Sequence, residues 1–211
     1  MMFTKKQIII SVLLCLIPLI PGIIFYSQMP DSVPTHFGLN GEPDGYSSKV
    51  MAVFGMPLLL AALDAFSLFF VSADPKRANI GGPMRQLMLW VVPAVGVLCA
   101  AAIYPAALGH KMNMSRLVMI FVGLVFLIMG NYMPKVKQNY TAGIKLPWTL
   151  NSEENWIRTH RFAGYLWMAC GLLMIALGIT GMLNVVAVIA IAGAAGVVPM
   201  IYSYLLYKKG I

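Results

Sequence analysis

One acid, Asp64, stands inside an apolar run from Val50 to Val71, where an ionisable group can titrate, bind a cation or pair with a polar neighbour. A carboxylate at the centre of a membrane span costs roughly 2.5–3.5 kcal/mol, so a partner or a function is required of it. A proton relay needs similar groups in other apolar runs. None of the other acids and none of the histidines lies in the middle of one, which argues against proton-coupled transport; the plainer expectation is that Asp64 hydrogen-bonds a neighbouring helix or lies near enough to the cytoplasmic end to be hydrated. His36, with Asp31, Glu42 and Asp44, forms a second concentration, and imidazole with carboxylates is an ordinary zinc donor set. Their spacing fits no zinc motif, so the expectation is no metal, with His36 and Thr35 bonding the loop's own backbone. The third concentration runs from Asn131 to Arg161 and includes Asn139, Gly143, Lys145, Pro147, Trp148, Thr149, Glu153 and Trp156. No activated nucleophile, phosphate-binding glycine loop, carboxylate pair or Cys/His cluster occurs there or elsewhere, so the expected chemistry is recognition, with no enzyme activity and no cofactor.

The elements that hold these groups follow from composition. Of 211 residues, 60% are hydrophobic and 10% charged, against about a quarter charged in an ordinary soluble domain. Apolar runs of about 20 residues fall at Ile8–Tyr26, Val50–Val71, Leu87–Leu108, Leu117–Met133, Phe162–Leu183 and Val185–Leu206. These predict an all-α membrane protein of six transmembrane helices. Lys and Arg collect on the cytoplasmic side of a membrane. With both termini inside, Lys5, Lys6, Lys76, Arg77, Arg85, Lys135, Lys137, Lys145, Arg158, Arg161, Lys208 and Lys209 fall on that side, and only Lys49, Lys111 and Arg116 on the other. The net charge of +8 is then a signature of topology, and no direct nucleic-acid binding is expected. Cys15, Cys99 and Cys170 lie within spans and read as small packing residues. The first span has no small-residue cleavage site before Pro30 and is read as uncleaved.

Two polar loops interrupt the spans. The outer one, Ser27 to Lys49, contains Asn40-Gly41 and Asp44-Gly45, dipeptides that favour turns, and is expected to be folded. In the cytoplasmic loop, Asn151 followed by Glu154 reads as a helix cap, and Glu154 with Arg158 is an i,i+4 ion pair. A helix should therefore start near Ser152 and run into the fifth span. Trp148 and Trp156 are expected at headgroup level as interfacial anchors, or else as parts of a surface that a cytosolic partner recognises. Lys135, Lys137 and Lys145 suit anionic lipid. Pro18, Pro21, Pro57, Pro93 and Pro105 should bend their helices, and Gly164, Gly171, Gly178, Gly193 and Gly196 should let helix backbones approach.

The run Gly130-Asn131, Asn139, Gly143-Ile144-Lys145-Leu146-Pro147-Trp148-Thr149-Leu150 and Trp156 resembles the SdpI family of bacterial integral membrane immunity proteins. Lys145 stands where that family usually has Arg and Leu146 where it usually has Thr, and a Lys cannot make the bidentate contact of a guanidinium. The segment around Pro34-Thr35-His36-Phe37, Pro43-Asp44 and Ser48-Lys49 resembles the DUF1648 domain. Together they imply an N-terminal membrane region with the outer loop over residues 1–85 and an SdpI-like region over 86–211, in the bacterial cytoplasmic membrane. They also imply resistance to a secreted, membrane-active peptide toxin, with Pro34, Thr35, His36, Phe37, Asp44 and Tyr46 as candidate toxin contacts. A cytosolic transcriptional repressor held on Asn131, Asn139, Gly143, Lys145, Pro147, Trp148, Thr149, Glu153, Trp156 and Arg161 is the further implication, with membrane lipid as a partner. The alternatives are a small-substrate transporter or channel using Asp64, and an envelope assembly factor.

Overall fold

The computed structural model describes residues 2–38, 40–110, 113–182 and 185–211. Among them, six helices are long and apolar enough to cross a membrane: Lys5–Ile24, Met51–Ala73, Gly82–Ala107, Met114–Lys135, Glu153–Thr180 and Val186–Lys208. Phe66, Phe69, Phe70 and Ile179 are each more than half exposed, an apolar surface that suits hydrocarbon and would be costly in water. The chain forms two compact units.

The first unit comprises Met1–Ala73 and Arg85–Met114. Its first span is two helices, α1 (Lys5–Leu14) and α2 (Leu19–Ile24). Thr4 and Gln7 exchange side-chain and backbone hydrogen bonds to cap α1. The break has a local cause: Pro18 and Pro21 have no N–H for the carbonyls of Leu14 and Ile17. Three-residue turns catch both carbonyls instead, from Ile17 N at 3.2 Å and Ile20 N at 3.0 Å. Strands β1 (Ser32–Phe37) and β2 (Pro43–Ser48) follow as an antiparallel hairpin. A wide π turn at Met51–Gly55 leads into α3 (Met56–Ala73), just where Pro57 lacks the N–H that would reach Val53. The third span is α4 (Gly82–Ala107). Met29, Val33, Ala52, Val53, Ile103 and Tyr104 form a buried cluster beneath the hairpin.

The hairpin adds a β element to the all-α expectation and corrects one turn. Gly41 adopts a positive φ of 82°, as the Asn40-Gly41 reading requires, and the Asn40 side chain accepts from Glu42 N at 3.1 Å. Asp44-Gly45 is no turn: Gly45 lies within β2 opposite His36. A Cβ there would sit 2.9 Å from His36 Cβ, so the glycine admits the facing side chain.

The second unit comprises Asp74–Met84 and Ser115–Ile211, built on α5 (Met114–Tyr132), the short α6 (Pro147–Asn151), α7 (Glu153–Thr180) and α8 (Val185–Lys208). α5 and α7 cross backbone to backbone. A Cβ at Gly130 would meet Gly164 O at 2.7 Å, and one at Gly171 would meet Gly123 O at 2.6 Å. Each helix repeats glycine after seven residues, which returns it to the same face. Gly164, Gly171 and Gly178 thus act as expected, against α5. Gly193 and Gly196 do not: open space surrounds both, because α8 turns those positions away from its neighbours.

Candidate functional site

On the hairpin, alternation decides which candidates are available. Val33 and Pro34 are buried and Phe37 is half-buried against the cluster below, whereas His36, Asp44 and Tyr46 face outward and Thr35 is partly exposed. His36 Nδ1 pairs with the Asp44 carboxylate across the strands, a side-chain partner in place of the expected backbone one. Asp31 and Lys49 close the base of the hairpin, with Nζ–Oδ1 at 2.8 Å and Lys49 N donating to Asp31 O at 3.0 Å. The Lys49 hydrogen bond, and then its charge, hold the Asp31 carboxyl below the usual carboxylate range. Beside this region is an apolar cleft of about 260 Å³ whose lining includes Pro18, Pro21, Phe25, Tyr104, Pro105 and Leu108. Tyr104 joins the two features: its ring is part of the cluster under the hairpin, and its hydroxyl donates to Pro18 O at 3.1 Å.

Asp64 is fully buried. Pro93 removes the N–H that would serve Leu89 O one turn earlier in α4, and Ser11 Oγ from α1 lies 2.7 Å from that carbonyl. The same hydroxyl lies 2.7 Å from Asp64 Oδ2. Ser11, Asp64 and the proline-freed carbonyl therefore fasten three spans at one point, which realises the hydrogen-bond reading of Asp64. Oδ1 has no protein partner. Ser11 was not anticipated, since serine in an apolar run carries no signal of its own.

The loop between α5 and α7 is a folded device centred on buried polar groups. Asn139 is fully buried. Its amide donates to Lys137 O at 2.8 Å and Ala142 O at 3.0 Å, and its oxygen accepts from Thr141 N at 2.9 Å and Ala142 N at 2.6 Å. One side chain thus folds the six residues from Lys137 to Ala142. Asp74, also buried, clasps this turn from the preceding segment: it accepts from Tyr140 N at 3.0 Å, from Thr141 Oγ1, and from Lys76 N at 2.7 Å. Gln138 receives Lys76 Nζ at 2.6 Å and reaches Thr149 O and Leu150 O at 2.9 Å each.

Beyond the turn, Gly143 has a φ of 119° and passes close above two stacked rings. Trp156 and His160, one turn apart on α7, stack at 3.9 Å between centroids and 20° between planes, and both are fully buried. Trp156 Nε1 donates to Val136 O at 2.7 Å. His160 Nδ1 faces Trp156 O at 2.7 Å, so it must be the protonated nitrogen, and Nε2 accepts from Ile144 N at 2.9 Å. Thr149, buried, accepts from Leu146 N at 2.8 Å and donates to Ile144 O at 2.9 Å. Pro147, exposed, opens α6 at its first position. Trp148 Nε1 donates to Ser203 Oγ at 2.8 Å, and Ser203 donates onward to Asn155 Oδ1 at 2.7 Å, tying α6, α7 and α8 together. Lys145 Nζ donates to Thr141 O at 2.9 Å, a single-point contact. Asn131, Glu153 and Arg161 are exposed.

Two expectations are corrected here. Trp156 is no interfacial anchor, because its indole is sealed beneath Gly143; Trp148 is half-buried and bonded to α8. The cap of α7 is Ser152, accepting from Asn155 N at 3.1 Å; Asn151 instead ends α6. The Glu154–Arg158 pair is present at 2.6 Å. The sequence reading missed Asp74, Gln138, Asn155, His160 and Ser203. The spacing of Trp156 and His160, four apart at a helix start, is the signal that could have found one of them.

Residues 135–203 match the SdpI/YfhL protein family, and residues 13–61 match a domain of unknown function, DUF1648, so the resemblance carried by the loop motifs is borne out. The chain is 28% identical over 97% of its length, and 97% of the relative's, to "Immunity protein SdpI" of Bacillus subtilis. An uncharacterized protein of Archaeoglobus fulgidus is 34% identical over 82 residues, 36% of this chain and 43% of that one. No solved structure matches.

Proposed function

We propose that this chain is a multi-pass immunity protein of the bacterial cytoplasmic membrane, with both termini in the cytoplasm, that gives resistance to a secreted, membrane-active peptide toxin. The observation that carries this reading is the full-length similarity to an immunity protein. The hairpin supports it physically. A rigid strand pair, closed by Asp31–Lys49 and seated on a packed cluster, presents His36, Asp44 and Tyr46 outward beside an apolar cleft. A polar edge next to an apolar groove matches an amphipathic peptide, and binding there would keep the toxin from assembling in the bilayer. The excess of Lys and Arg on the opposite side supports the orientation.

The loop from Asn131 to Arg161 is the proposed cytoplasmic face, where Asn131, Lys145, Pro147, Glu153 and Arg161 form the accessible surface and Asn139, Gly143, Thr149 and Trp156 hold its shape from beneath. A repressor docked there would be the second partner, and signalling would require the toxin to bind two states of the chain unequally. Expression in a toxin-sensitive bacterium, with membrane potential recorded during challenge, tests immunity. Preserved potential with the wild type, and its loss in a stably inserted Thr35→Ala, Tyr46→Ala variant, is the expected result. Collapse of the potential despite verified insertion of the wild type would overturn the reading. Ligand-dependent flux abolished by Asp64→Asn would assign transport instead.

A further inference from the structure

Near the start of α7 a surface pit of about 330 Å³ is lined by Ile157, Arg158, Arg161, Phe162 and Tyr165 of that helix and Tyr202 of α8. Two of its walls are cationic and the rest apolar or aromatic. Phe162 and Tyr202 stack at 4.5 Å and 24°, which fixes the floor. Arg158 shares its charge with Glu154 at 2.6 Å. Arg161 is exposed, and among the described residues it has no acidic or hydrogen-bond partner. Arg158 and Arg161, three residues apart, share one face of α7, and both line the pit. Tyr165 lies one helical turn further along α7, into the apolar span.

We propose that this pit binds one anionic phospholipid, its phosphate held between Arg158 and Arg161 and an acyl chain lying along Phe162, Tyr165 and Tyr202. Guanidinium groups suit phosphate because their planar fork donates two parallel hydrogen bonds. The aromatic wall continues directly from the cationic one, as a lipid's chain continues from its phosphate; a free phosphate would leave that wall unused. The proposal rests only on the chain residing in a bilayer, and it stands whether or not the protein confers immunity.

The test is native mass spectrometry of the purified full chain in mild detergent, titrated separately with phosphatidylglycerol, phosphatidylcholine and inorganic phosphate. The expected result is one tightly retained phosphatidylglycerol, weakened at least about tenfold in Arg158→Gln, Arg161→Gln. It should persist in Lys5→Gln, Lys6→Gln, two exposed lysines at the start of the chain, which removes the same charge elsewhere. Equal retention by the arginine variant, equal retention of phosphatidylcholine by the wild type, or displacement by millimolar phosphate would each overturn the assignment. Phe162→Ala separates the two halves of the site: it should weaken phosphatidylglycerol more than a short-chain analogue, and an equal effect on both would refute the acyl-chain wall.

Discussion

Replacing Gly143 by Ala tests whether the loop between α5 and α7 is held by the stacked rings beneath it. At a φ of 119° a side chain incurs strain of roughly 1–3 kcal/mol. The new Cβ would also overlap His160 Nε2 and approach Trp156 Cζ2 to 3.0 Å. The ring must then shift and release Ile144 N, a bond worth about 1 kcal/mol. The expected destabilisation of the loop is about 2–4 kcal/mol, or roughly thirty- to several-hundred-fold in the folded population. Hydrogen exchange at the Ile144 amide reads it locally, and thermal unfolding in detergent reads any global share. A double-mutant cycle with His160→Ala sharpens the reasoning, because removing the imidazole relieves the overlap and the lost bond cannot be lost twice. The double variant should be less destabilised than the sum of the single variants by at least about 1 kcal/mol. An unchanged Ile144 exchange rate in Gly143→Ala, or strict additivity in the cycle, would refute the account.

Three other outcomes follow from the geometry. Asp64→Asn should leave thermal stability within about 1 kcal/mol, because the amide supplies an N–H for Ser11 Oγ and leaves the serine hydrogen for Leu89 O. Asp64→Leu should cost more, by about 1–3 kcal/mol for the broken buried network, and an equal cost for both would remove the clasp from the argument. Trp156→Phe should destabilise the loop by about 1–3 kcal/mol by leaving Val136 O unpartnered, seen as faster exchange around Val136; unchanged exchange would count against it. At the hairpin, Asp31 should titrate below the usual carboxylate range because Lys49 stabilises its charged form. A depressed folded pKa contributes stability above the unfolded value and loses it as pH falls through the folded one. In Lys49→Gln the Asp31 midpoint, followed by carboxyl NMR, should move up; an unmoved midpoint would show the pair to be absent in solution.

Much of the architecture was legible because its signals are local. A run of about 20 apolar residues identifies a span wherever it occurs, so all six long helices could be located from hydropathy. Asn40-Gly41, the start of α7 near Ser152, the Glu154–Arg158 pair and the proline break in the first span depend on neighbours a few residues away, and each was readable. The motif from Gly130 to Trp156 was equally visible. Its residue types alone could not say that Asn139, Thr149 and Trp156 turn inward while Asn131, Glu153 and Arg161 stay exposed.

Packing decided the rest. Ser11 and Asp64 are 53 residues apart, and Ser11 and Leu89 are 78 apart. Their meeting depends on three helices presenting one face each, and on a carbonyl released by a proline in the third. Asp74 reaches Tyr140 across 66 residues, and Trp148 reaches Ser203 across 55; neither partner marks itself in the sequence. Gly164 and Gly193 look alike as small residues in apolar helices, yet one touches backbone and the other open space. Hydropathy determines which segments enter the membrane because transfer from water acts on each segment by itself. Which polar groups they share is a property of pairs, and only the assembled structure decides it.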